Sequence, residues 1–234
     1  MSLPETFDPS TMMELTCRAV SLLMQGRYEE SQALLHVALR NLMSVASPEV
    51  TNERPQAFMA GESLYFESFI IPFNNATGTS SEAFDVFNRA LVIRPGGNPA
   101  AAIAGCPHLL ERLATVLLYN LALSLHLRAL ETGSSKNLRM ALHIYQRAMA
   151  LLVNVNTGAV DDDSIVALAL LNNMGHIHEA SFSCHKEAST CLSLLRQIFE
   201  GIDSSHALRD DESLFFYLTL FLYPSYQKGM AAAA

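Results

Sequence analysis

Imidazole, thiol and carboxylate groups crowd one stretch of this 234-residue chain, His176-Ile177-His178-Glu179 with Cys184 and His185 close behind. These side chains are zinc-ligand types. On a helix, His176 and His178 project roughly 200° apart and do not reach one ion from the same face. His178 and His185 share a face but need further ligands from elsewhere. Polar or interhelical histidines are the better reading, and no cofactor or metal is expected. Asp161-Asp162-Asp163 reads as a helix start, where negative charge is favourable, ahead of a metal loop. His126 and His143 read as helix-surface residues ahead of catalysts. There is no GxGxxG, phosphate loop, GxSxG or HExxH motif, and no Ser/His/Asp set emerges from the order of the residues. No catalytic residue is assigned.

Composition narrows the function classes. The formal charge is −8, which argues against nucleic acid or an anionic membrane surface, since both need a basic footprint. Charged residues make up 16% and hydrophobic ones 50%, against about 25% charged in an average soluble domain. That excess predicts a large buried fraction or an apolar surface closed by a partner. The start, Met1 to Pro9, has neither the basic nor the apolar region of a secretory signal. The apolar stretches Leu113 to Leu127 and Leu214 to Tyr223 fall short of the ~18–20 residues of a spanning helix. A cytoplasmic location follows as the expectation, with the nucleus left open and no membrane insertion. Cys17, Cys106, Cys184 and Cys191 have no CxxC spacing and are expected to be reduced. Asn75-Ala76-Thr77 is read as a chance glycosylation match.

The elements that must position these groups come from periodicity. Over 9–46, apolar residues recur at three and four (Met13, Cys17, Val20, Leu23, then Leu34, Leu35, Ala38, Leu42) around a turn at Gly26. A turn this short makes an antiparallel helix hairpin. Over 107–154, Leu110, Leu113, Leu117, Leu121 and Leu125 lead to Gly133, and Leu138, Leu142, Tyr145, Met149 and Leu152 follow it. A third hairpin spans 163–203, with Ile165, Leu168, Leu171, Met174 and Ile177 before the turn and Ala188, Leu192, Leu195 and Phe199 after it.

Gln25-Gly26-Arg27-Tyr28-Glu29-Glu30-Ser31, followed by Leu34-Leu35, Ala38-Leu39 and Leu42, resembles the turn and second helix of a tetratricopeptide repeat. Tyr119-Asn120-Leu121-Ala122 and Leu171-Asn172-Asn173-Met174-Gly175 resemble the repeat's first helix, and Ala141, Tyr145 and Ala148 its second. Small residues at Ala19, Ala38, Ala122, Ala141, Ala148 and Gly175 are read as notches where helices approach closely. Ala122 and Gly175 lie further apart than one repeat of about 34 residues, so the array is irregular. The resemblance covers about two thirds of the chain and implies a concave groove lined by the first helices. Asn120, Asn173, His176 and His126 are then candidates for binding a partner there. An amide can both donate to and accept from an extended peptide; a bond to a neighbouring loop or buried water is the alternative. With Thr16 and Val20 where a carboxylate clamp would start, the first helix lacks the Lys and Asn such a clamp needs.

Two segments depart from a plain helical array. Within 62–94, Leu64 to Ile71 is rich in aromatic and β-branched residues and Phe84 to Ile93 reads as its return strand, with helix the alternative for the latter. Over 213–223, Leu214 to Tyr223 has high β-propensity and is read as a third strand, or alternatively as a capping helix. Residues 46–60 and 95–106 read as loops and 225–234 as a loose tail. The fold expected is a single mainly α domain, 1–234, of TPR-like hairpins, about six helices, with a small antiparallel β element. The function expected is non-enzymatic: a scaffold that binds a protein partner or forms a homo-oligomer. A small enzyme using His176, His178 and His185 is the alternative.

Overall fold

The computed structural model describes residues 9–45, 64–72, 84–95, 108–155, 164–202 and 208–232. Met1 to Asp8, the Asn75 sequon, Cys106, the aspartate triplet 161–163 and most of the two expected loops lie outside the described residues.

The described residues are mainly helical, with one small antiparallel sheet. α1 (Pro9–Met24) opens on a proline, whose missing N–H costs nothing in the first turn. Gly26, at φ 71°, turns the chain into α2 (Tyr28–Val45). α3 (Leu109–Thr132) ends on Gly133 at φ 66°, whose N–H bonds the Ala129 carbonyl, and α4 (Ser135–Val155) returns. α5 (Ser164–His176) runs into one π turn, Ile177–Ser181, before α6 (His185–Gly201). α7 (Asp210–Ala232) closes the chain. Each helix packs on its successor, α1 on α2 through to α6 on α7. Ala19, Ala38, Ala122, Ala141 and Ala148 are all fully buried, the condition for close helix approach.

α3 is buried on every side because α2, α4 and the sheet all cover it. It is longer than its uninterrupted apolar stretch: by length and composition alone its 24 residues could cross a membrane, and 78% of its most apolar window is buried inside the fold. The expectation of a stretch too short to span is corrected in length, since Glu111, Arg112 and Arg128 continue the helix beyond the apolar run.

β1 (Leu64–Ile70) pairs with β2 (Arg89–Pro95) in a register that sets Phe66 opposite Ile93 and Ser68 opposite Leu91. The return strand begins later than expected, since 84–88 lies outside the ladder. The third-strand reading of 213–223 is overturned, because that segment is part of α7. Two physical reasons account for it. The acidic first turn, Asp210, Asp211 and Glu212, suits a helix N-terminus, and the Glu212 carboxylate reaches back to the Arg209 N–H at 3.0 Å. In addition, side chains of α3 already occupy Leu91 and the Arg89 carbonyl on the free edge of β2. The helix also passes through Pro224 to Ala232, correcting the tail; Gln227, Lys228, Met230 and Ala231 beyond the proline are helix formers.

Candidate functional site

In an antiparallel strand, alternate residues send their N–H and C=O groups to opposite sides. Along 84–95, the backbone of Phe87, Arg89 and Leu91 faces the helices. Asn120 of α3 accepts from the Leu91 N–H at 2.9 Å and donates to the Leu91 carbonyl at 2.7 Å. Asn173 of α5 repeats the arrangement four residues earlier, accepting from the Phe87 N–H at 2.8 Å and donating to its carbonyl at 3.2 Å. A carboxamide has the donor and acceptor of a peptide group, so each asparagine stands where a neighbouring strand would be. Between them the Tyr119 hydroxyl donates to the Arg89 carbonyl at 2.8 Å, and Asn172 donates to the Asp85 carbonyl at 2.8 Å. Asn173 also donates to the Tyr145 hydroxyl of α4 at 3.2 Å. Burial holds both phenols, Tyr119 and Tyr145, well above their ordinary pKa, so they act as neutral hydrogen-bonding groups.

Side chains of the same segment fill notches. A Cβ placed on Gly175 would come within 2.6 Å of the Phe84 ring. Gly175 is thus the seat of that ring and not a helix-to-helix notch, which corrects the sequence reading. Phe84 packs there with Ala188, Leu192 and Leu220, apart from the main core. Phe87 stacks on Phe216 at 4.9 Å between centroids and meets Phe215 edge-on at 5.1 Å. α7 is tied to the hairpin by Arg89 to Asp211 at 2.7 Å and Ser68 to Glu212, and to α5 by the Thr219 hydroxyl, which donates to Asn172 at 3.4 Å. The Arg89 guanidinium holds the Asp211 carboxyl below the usual carboxylate range.

His126 and His176 meet at 3.1 Å, Nε2 to Nδ1, joining α3 to α5 under the Tyr145 ring. Both are buried, which corrects the helix-surface reading of His126. Burial first, and then His176, pushes the His126 pKa well below 6.5. Among the described residues the buried Nδ1 of His126 has no hydrogen-bond partner. His178 and His185 stand apart from this pair: His178 is half-buried, and His185 lies at the surface 3.0 Å from Glu179. Among the described residues no group of three or more His, Cys, Asp or Glu side chains could hold a metal ion. Cys17, Cys184 and Cys191 are free thiols, and burial raises the Cys191 thiol to about 11, far from a reactive thiolate.

The sequence-derived candidates Asn120, Asn173, His126 and His176 therefore lie together, fully buried, on adjoining turns of α3 and α5. Sequence reasoning missed what reaches them. Tyr119, Asn172 and Tyr145 share the work, and the segment they grip belongs to the same chain. The available signal was the pair Asn172-Asn173 inside a helix apolar on every side, since a buried amide must find a partner. Compared with known proteins, the chain matches no family model, no curated protein and no solved structure.

Proposed function

We propose that this protein is a non-enzymatic interaction module of TPR-like type, which binds a partner polypeptide or a second copy through its helical groove or an apolar face. The observation that carries the reading is the paired amide grip of Asn120 and Asn173 on extended backbone. Contacts to backbone groups recognise a strand whatever its side chains. The apolar face has a candidate of its own on α7, where Leu214, Tyr217, Leu218 and Phe221 are exposed at helical spacing. The buried histidines serve here as internal hydrogen-bonding groups between helices. Crosslinking mass spectrometry on the protein in its native cells, with light scattering on the purified chain, tests the reading. Specific crosslinks from α7 or the groove, or a defined oligomer, are expected; a monomer with no specific crosslinks would overturn it.

A further inference from the structure

Residues 84–88 lie against α5, α6 and α7 as a bound peptide would. They lie outside any ladder, and the Phe87 N–H and C=O and the Asp85 C=O are bonded by asparagine side chains. The two aromatic side chains, Phe84 and Phe87, are buried in seats made by α5, α6 and α7. We propose that this face is a peptide-binding site loaded in cis, and that its trans ligand is an extended segment carrying Phe-x-x-Phe. The proposal rests on the reading of the protein as a partner-binding module and names the chemistry of that partner.

The order of attachment indicates where exchange begins. From Arg89 onward the segment is laddered to β1 and belongs to the main core. Before Arg89, helix side chains, the Ile71–Asn88 bonds and the two rings hold it; Phe87 belongs to the main core, and Phe84 sits in a satellite cluster. Peeling from Phe84 exposes the Gly175 seat first, and then the Asn172 and Asn173 amides as Asp85 and Phe87 leave. A tethered ligand has an effective concentration of about millimolar, so a trans segment of equal affinity competes only at that level. Removing one phenyl ring from the tethered copy weakens it about ten- to a hundredfold, so the trans segment should then bind at roughly tens to hundreds of micromolar.

The test uses the acetylated, amidated pentapeptide of residues 84–88 and the full-length Phe84→Ala protein, with binding read by calorimetry. Saturable binding to Phe84→Ala is expected, with binding to the unaltered protein weaker by about ten- to a hundredfold. A peptide with Ala in place of its first Phe should fail. Gly175→Ala added to Phe84→Ala fills the seat where no ring now stands, so that protein should fold and lose the peptide. Should Phe84→Ala not fold alone, refolding with each peptide is the same test, with recovery of helical ellipticity expected from the Phe peptide only. No binding by a folded Phe84→Ala protein, equal binding of the Ala peptide, or recovery with neither peptide would overturn the proposal. Specific native crosslinks at α7 alongside such a failure would sink the Phe-x-x-Phe site and leave the interaction reading standing.

Discussion

Two helices, α3 and α5, hold the same segment of chain by different means. At the α3 end, Asn120 grips Leu91 where β1 already fixes the chain by its ladder. At the α5 end, Asn173 grips Phe87 beyond the end of that ladder, and the rings of Phe84, Phe215 and Phe216 complete the attachment. The same residue type thus reinforces a sheet in one place and replaces it in the other. Backbone hydrogen bonding alone can hold a strand in many registers, whereas a ring seated against a glycine admits one. The α5 end therefore sets where the strand sits, and the α3 end adds to what the ladder supplies.

The largest expected effect separates the two amides. Asn173→Leu strands the Phe87 N–H in the interior, leaves the Phe87 carbonyl only the longer bond from Tyr119 and removes a donor from Tyr145, at about 1–3 kcal/mol for each unsatisfied group. Urea denaturation should show a loss of roughly 3–5 kcal/mol, with faster hydrogen exchange confined to the Phe87 amide region. Asn120→Leu should cost less and leave exchange across β1 and β2 protected; the reverse ranking would break the comparison.

Gly175→Ala should destabilise by about 1–3 kcal/mol through overpacking against the Phe84 ring. In the Phe84→Ala background the same change should be neutral or stabilising, because an alanine is a better helix former than glycine. A double-mutant cycle measures this coupling, and additive effects would show that the ring and the glycine do not share a seat.

Acid should loosen the junction between α3 and α5. His126 has its folded-state pKa lowered below 6.5, so its unfolded form takes up a proton first as the pH falls. Its contribution to stability is full above about pH 6.5 and declines below it, by at most about 1.4 kcal/mol per pH unit for one proton. Denaturation midpoints at neutral and mildly acidic pH should show this slope, and His126→Asn should flatten it. An unchanged slope would place the acid sensitivity elsewhere.

The smallest effect is expected on the exposed side of α7. Leu214→Ser should change stability by no more than about 0.5 kcal/mol, since that side chain is 57% exposed. Loss of self-association or of native crosslinks with stability intact would mark this face as the one that meets a partner. A loss of several kcal/mol would show it to be structural.

Much of this was legible residue by residue. Gly26 and Gly133 marked the turns, and leucine and alanine periodicity marked the helices, because helix formation depends on neighbours three and four positions away. Leu64 to Ile71 and the residues ahead of Pro95 showed their strand character in β-branched and aromatic composition. The segment 214–223 misled because its aromatic residues suit either state, and the deciding contacts, Glu212 to Ser68 and Asp211 to Arg89, come from far along the chain. His126 was misplaced for a related reason: a helix covered on all sides has no face from which to read exposure.

The amino-acid sequence by itself determined the six helices of the three hairpins, their turns and the presence of asparagines inside two of them. Local propensity and spacing suffice for those features, since each arises within a few residues of chain. Only the tertiary structure decided what the asparagines hold, that Gly175 makes room for Phe84, and that the last aromatic run is a helix. Those outcomes depend on which unsatisfied backbone groups and which apolar rings arrive at one place from distant parts of the chain. No neighbour along the chain supplies a buried strand edge with its partner; the folded helices do.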